Sequence, residues 1–444
     1  MPDGPVFDPP WNELVRFDPG GGFAYVPNTA FLRDSGVDEA FLVEDVLAEG
    51  EALDEIDEPV TEFRAMRGTF DTIRVVAHLR ARGIDAQPDH VLFAHDMACC
   101  CGPHPATCFD PSFLANALHA NPLHANPLHA NPLHANPLHA NPLHANPLHA
   151  NWADPNGPTC SSARPADPPR WFAAGAAAPR RPAPRVVVID TGLARPGQLP
   201  ELLRRAAGVT AGRIGHVDFP DVNGDRWLDP AAGHGTFIAG VIERIAPGCA
   251  IEVIGVLGPQ GAASESAVVD AITYVANLDI RPAFLNLSFG GYVWEKAPML
   301  SAAVHFAQKR GIVVVASAGN DGTCRPSFPA AIPGVISVGA IGPGGPAWFS
   351  NYGDWVRSCA PGMDVVSSFF RSFNGKEVPS GGRDIDRFKA WATWSGTSFA
   401  APAVIGALVR EMRASRCSAK EAVARLIDAP CLGRIPGLGT VVNV

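Results

Sequence analysis

No apolar run in the 444-residue chain approaches the roughly 18 residues that cross a bilayer, so a membrane-spanning role is not expected. Basic residues are in deficit. Thirty-five Lys and Arg against 44 Asp and Glu leave a formal charge of −9, and without a cationic surplus nucleic acid is not an expected partner. The first twenty positions carry Asp3, Asp8 and Glu13 and lack an apolar core segment, so they do not read as an export signal. That reading points to the cytoplasm, or to secretion if the true start lies elsewhere. With no export signal, the ten cysteines read mostly as reduced thiols rather than a disulfide framework. What the chain does have is apolar content, 47% hydrophobic, and length enough for two or three domains.

Residues 1–110 read as a small α+β N-terminal region, propeptide-like or regulatory. Asp71 to Arg82 has helical spacing with Gly83 placed as a C-cap, and His90 to Ala94 reads as a strand. The stretch from His95 to Cys108 is dense in soft metal ligands, but no pair of CxxC units appears, and an exposed thiol-rich loop is the plainer reading. Residues 111–184 read as a low-complexity linker. From Asn116 to Asn151 the pentamer Asn-Pro-Leu-His-Ala repeats, and proline at every fifth position from Pro122 to Pro147 blocks both helix and ladder. A solvated, semi-extended spacer is expected there, with docking or weak metal capture by the histidines His119 to His149 as alternatives.

Residues 185–444 read differently. Continuous β-branched and apolar runs at Val186–Ile189, Ile251–Leu257, Phe284–Phe289, Ile312–Ala316 and Val335–Ala340 suit strands buried on both faces. Helical patterns separate them: His234–Ala246, Glu265–Asn277 behind Ser264, and Met299–Arg310. The expected fold class is α/β, a doubly wound parallel sheet with helices on both faces. Ser418 and Glu421 form a capping box before a last helix.

In such sheets reacting groups gather at the carboxyl ends of strands. Asp190 ends the first strand, His234 opens a helix, and Ser398 stands where a tight turn enters an apolar helix. Asp, His and Ser in that chain order form one of the known triad orders, with Ser398 attacking, His234 moving the proton and Asp190 fixing the tautomer. Asn320, after another strand, offers a side-chain amide to a developing oxyanion.

These blocks make the segment from Arg185 onward resemble the subtilisin family of serine proteases. The blocks are Val187–Gly192, Gly233–Gly240, Ala318–Asn320 and Gly396–Pro402, with Leu287–Gly291, Phe349–Gly353, Ala360–Gly362 and Gly437–Asn443 also matching. The resemblance implies a serine endopeptidase working through an acyl-enzyme on protein or peptide bound as an added β-strand, needing no cofactor, and a monomer. It further implies that Ser288, Phe289, Gly290, Ala318 and Gly319 line the substrate site. Asp321 borders the specificity pocket, where a carboxylate would favour basic residues. The loop Asp221, Asn223, Asp225, Asp229 resembles a calcium site, with oxygens at alternate positions around a glycine. The alternative reading is a catalytically silent binding protein on the same fold.

Overall fold

The computed structural model describes residues 15–18, 22–33, 41–56, 63–94, 163–166, 184–375, 387–429 and 433–444, apart from Ala207, Asn223, Asp225, Trp227 and Lys296. The Cys/His-rich loop, the pentamer repeat and most of the linker lie outside the described residues.

The N-terminal region is an antiparallel sheet carrying an α-helix and a single π-helical turn at Leu42–Val46. Its strands are β1 (Arg16–Asp18), β2 (Phe23–Arg33), β3 (Ala52–Ile56), β4 (Phe63–Thr69) and β5 (Ala86–Ala94), with α1 (Thr72–Ala81) between the last two. Asp71 caps α1 by accepting from the Arg74 amide at 3.0 Å, and Gly83 follows at φ +80°, where a side chain would be strained. Ala30, Leu32, Met66, Val75, Val76 and Leu79 form its core.

The larger unit is built on parallel strands in the spatial order β14 (Ser358–Pro361), β13 (Ile336–Gly342), β12 (Val313–Ser317), β10 (Phe284–Leu287), β6 (Arg185–Asp190), β8 (Ala250–Gly255), β7 (Val209–Gly215). Strand β6 shows why its run is apolar throughout. Val186 and Val188 pack on one face with α2 (His234–Ile245) and α5 (Thr397–Ser415). Val187 and Ile189 pack on the other with α3 (Glu265–Ala276) and α4 (Pro298–Lys309). A strand covered on both faces has no polar side to alternate with. Ser264 caps α3 through the Ala267 amide, and the Ser418–Glu421 capping box is formed. No helix among the described residues is long and apolar enough to cross a membrane.

One strand departs from the expected pattern. The run Phe284–Phe289 breaks at Ser288. Residues up to Leu287 belong to the parallel sheet, whereas β11 (Phe289–Gly290) leaves it and pairs antiparallel with Ala94 and Phe93 of β5. On its other edge β5 pairs antiparallel with β9 (Ala262–Ser264), Val91 to Phe93 facing Ser264 to Ala262. The end of the N-terminal region therefore runs as a strand between two strands of the larger unit.

Polar groups at helix ends fix that docking. Glu265 is fully buried at the start of α3. Its Oε2 accepts from Gln87 Nε2 at 2.9 Å and lies 2.6 Å from His90 Nδ1, and its Oε1 accepts from the Leu300 amide at 2.9 Å. Gln87 Oε1 accepts from the Met299 amide in the first turn of α4, and Asp89 accepts from the Ser266 amide and hydroxyl in the first turn of α3. Strand β5 thus supplies acceptors to the orphan amides of two helices at once.

Candidate active site

Asp190 stands at the carboxyl end of β6 and His234 at the first position of α2, both fully buried. Asp190 Oδ1 lies 2.7 Å from His234 Nδ1 and also accepts from the Thr191 amide at 2.8 Å. Gly233, just before the histidine, has φ +82°, and a Cβ there would sit 2.3 Å from the Phe369 ring. Only glycine turns the chain into α2 at that point. The imidazole is walled by aromatics: Trp394 edge-on at 5.5 Å and Phe399 at 5.3 Å between ring centroids. Water is thereby kept from that side, and the histidine–carboxylate contact acts in a low-dielectric setting.

Asp218 ties the two elements together. Its Oδ2 accepts from the Thr191 hydroxyl at 2.7 Å and the Gly233 amide at 2.8 Å, the residues next to Asp190 and His234. Burial holds its carboxyl well above the usual carboxylate range, and Asp190 and Asp229 add to the shift.

Ser398 lies in the first turn of α5. Its hydroxyl donates to the Ser288 carbonyl at 2.8 Å, and the Ser288 hydroxyl donates to the Ser398 carbonyl at 2.9 Å. Pro402 accounts for the second bond. It stands four residues on, inside the helix, and has no amide proton to give that carbonyl. Asn286 Nδ2 in turn donates to the Ser288 hydroxyl at 2.9 Å. This serine pair explains the break in the 284–289 run.

Asn320 follows β12. Its Oδ1 accepts from the Thr397 amide at 2.9 Å and the Thr397 hydroxyl at 2.8 Å. With the oxygen so held, the side-chain nitrogen is turned the other way. Nδ2 is buried and has no hydrogen-bond partner among the described residues. A buried amide left unpartnered is costly unless something arrives to accept from it.

Other expectations fare differently. Phe289 and Gly290 pair with a strand, though the strand is β5. Asp321 is not an open anion: its carboxylate accepts from the Tyr292 hydroxyl at 2.8 Å, and burial pushes its carboxyl above the ordinary range. The Arg325 guanidinium lies over the Tyr292 ring at 4.4 Å and draws that carboxyl down somewhat. The expected pull on basic residues finds no support in this arrangement. In the acidic loop, Asn223 and Asp225 lie outside the described residues. Asp221 accepts from the Gly224 and Arg226 amides, and Asp229 from the Val222 amide, so the loop is closed by its own bonds. Among the described residues no group of three or more His, Cys, Asp or Glu is arranged to hold an ion.

Sequence reasoning did not single out Thr397, Trp394, Asp218 or Tyr292. Thr397 was visible inside the Gly-Thr-Ser block, but its part emerges only from the contact with Asn320.

Comparison with known proteins gives a consistent likeness. The model of the "Subtilase family" peptidases matches residues 184–427. The chain is 34% identical over 220 residues to the thermophilic serine proteinase of Bacillus sp. (strain AK1), covering 47% of this chain and 48% of that protein. It is 29% identical over 269 residues to thermitase of Thermoactinomyces vulgaris, covering 58% of this chain and 83% of the relative. The chain thus spans about half the length of the first relative and most of the second. Among solved structures, fervidolysin from Fervidobacterium pennivorans, a keratinolytic enzyme related to subtilisin, superposes with a TM-score of 0.55 at 19% identity, covering 94% of this chain and 60% of that one. That likeness concerns the fold alone.

Proposed function

The chain belongs to the subtilase family, and on that premise we propose that it is a serine endopeptidase opening peptide bonds through an acyl-enzyme on Ser398. The observation that carries the reading is the buried 2.7 Å contact between Asp190 and His234, on the same sheet edge as a serine at a helix start. In the reaction the Ser398 hydroxyl leaves the Ser288 carbonyl and gives its proton to His234 as Oγ attacks the substrate carbonyl carbon. Asp190 keeps the ring oriented and stabilises the imidazolium. The Asn320 amide donates to the oxyanion. His234 returns the proton to the leaving amine, and water repeats the sequence to release the acid. No cofactor enters these steps. A calcium ion in the 221–229 loop would stiffen the chain ahead of His234 and take part in no bond change. Covalent labelling of the purified chain by a fluorophosphonate probe tests the reading. An adduct on Ser398 is expected, and its absence would sink the enzyme.

Residues 1–110 act as a propeptide-like inhibitor in this proposal. Substrate binds such a cleft as an added strand, and β5 already holds that place between β9 and β11. Ala94 reaches the Phe289 position, beside the Ser288 that holds the nucleophile. The chain is therefore expected to cut itself after Ala94 and before Arg185, with the freed N-terminal piece still bound. Intact mass of the purified protein checks this, and an uncut chain under conditions where added peptide is hydrolysed would count against it.

Docking should also depend on pH. Burial pushes the Asp89 carboxyl up to about 7, with Glu265 adding to the shift and the hydrogen bonds from Ser266 and the charge of Arg67 opposing it. Undocked, the group returns towards its ordinary value near 4. A carboxyl raised in the docked state binds its proton more tightly there. Docking is firmest at low pH and weakens as pH rises towards about 7, by up to about tenfold per unit. Asp89→Asn should flatten the dependence. Inhibition by the freed piece measured from pH 4 to 8 tests it; inhibition that tightens with pH overturns it.

A further inference from the structure

We propose that Asn351 is a positioning residue for the oxyanion donor Asn320. The loop from Ala318 to Thr323 is bound along its length to residues 349–352, and Asn351 makes most of those bonds. Its Oδ1 accepts from the Asp321 amide at 2.9 Å and the Thr323 amide at 3.2 Å. Its Nδ2 donates to the Ala318 carbonyl at 3.0 Å and the Tyr292 hydroxyl at 3.3 Å. Its own amide donates to the Gly319 carbonyl at 2.9 Å. The Gly322 amide donates to the Phe349 carbonyl, and the Tyr352 amide to the Thr323 carbonyl. Asn351 itself is fully buried. Both neighbours of Asn320 are held from this side, through the Gly319 carbonyl and the Asp321 amide. Asn320 is held from the opposite side, by Thr397 on α5.

The consequence is mechanical. An oxyanion donor works because it is fixed before charge develops and needs no rearrangement in the transition state. Thr397 fixes which way the Asn320 amide faces. Asn351 fixes where the loop carries it, bridging Ala318, Asp321 and Thr323 with one side chain. An asparagine suits the task because it presents two donors and two acceptor lone pairs at the ends of one short planar group. In Asn351→Asp the Oδ1 bonds persist, but an acceptor faces the Ala318 carbonyl. In Asn351→Ser the bridge is too short to span the loop.

The inference rests on Asn320 being the oxyanion donor, and the test keeps the two apart. Measure kcat and KM on a peptide substrate for the full chain, Asn320→Ala, Asn351→Asp, Asn351→Ser and each Asn351 change combined with Asn320→Ala, scaled to the folded fraction by circular dichroism. Asn320→Ala should itself lower kcat by about 10²–10³-fold. Each Asn351 change alone should lower kcat by about 10- to 100-fold, with KM held within about twofold. In the Asn320→Ala background the same changes should cost less than about twofold, because the group they position has gone. An equal loss in both backgrounds, a loss carried by KM, or no loss overturns the inference while leaving Asn320 as donor. An Asn320→Ala variant as fast as the parent overturns both.

Discussion

Ser398→Ala is expected to lower kcat on a peptide substrate by on the order of 10⁶-fold, the size known for the triad of subtilisin, and to abolish fluorophosphonate labelling. The residue is fully buried, and among the described residues its hydroxyl makes one hydrogen bond, to the Ser288 carbonyl. Losing that bond costs about 1–3 kcal/mol if the carbonyl finds no water. The Ser288 hydroxyl still satisfies the carbonyl of residue 398, so the helix start survives. Loss of activity with a melting temperature only slightly lowered is therefore the expected pair of results. His234→Ala should cost nearly as much alone, and the double variant no more than either, because the two side chains act on one proton. Turnover by Ser398→Ala within tenfold of the parent, or labelling at another residue, would remove the proposed nucleophile.

The larger unit was legible in the sequence because its strands are covered on both faces. Runs such as Val186–Ile189 cannot be anything else of that length, and the helices between them carry clear starts at Ser264 and Ser418. Asp190, His234 and Ser398 could be picked out as candidates because each stands at an element end within two residues of a glycine, where local pattern marks the position. The link at Ser288 was not legible. Nothing in Leu-Ser-Phe says that one residue leaves the parallel sheet to bind Ser398 while the next joins another sheet. That follows from a partner 110 residues away. The surroundings of Asp321 were hidden for a similar reason. A carboxylate next to Asn320 shows nothing in the sequence of the Tyr292 hydroxyl that donates to it from 29 residues away. The pairing partners of β5 were invisible too, since the strand signal at His90–Ala94 carries no record of pairing with Ala262–Ser264.

Asp190→Ala is expected to lower kcat by about 10⁴-fold, and Asp190→Asn by clearly less. The reason for the difference lies in how the carboxylate is held. Oδ1 faces two donors together, the Thr191 amide and His234 Nδ1, whereas Oδ2 is buried without a hydrogen-bond partner among the described residues. An asparagine placed here must choose which end to turn to those donors. Turning its NH₂ towards them sets donor against donor at the Thr191 amide and forces the imidazole to move its proton to Nε2 so that Nδ1 can accept. Turning its carbonyl oxygen keeps both bonds and leaves the NH₂ unsatisfied in the Oδ2 position, at about 1–3 kcal/mol of stability. The second arrangement wins, so the imidazole keeps its proton on Nδ1 and its Nε2 stays able to accept from Ser398. What Asn removes is the negative charge that stabilises the imidazolium, not the tautomer. Alanine removes both charge and orientation. The check is kcat for the two variants across pH 6 to 10, with melting temperatures. If Asp190→Asn is as slow as Asp190→Ala, the amide has turned the other way, and the Thr191 amide does not fix the side chain as the geometry requires.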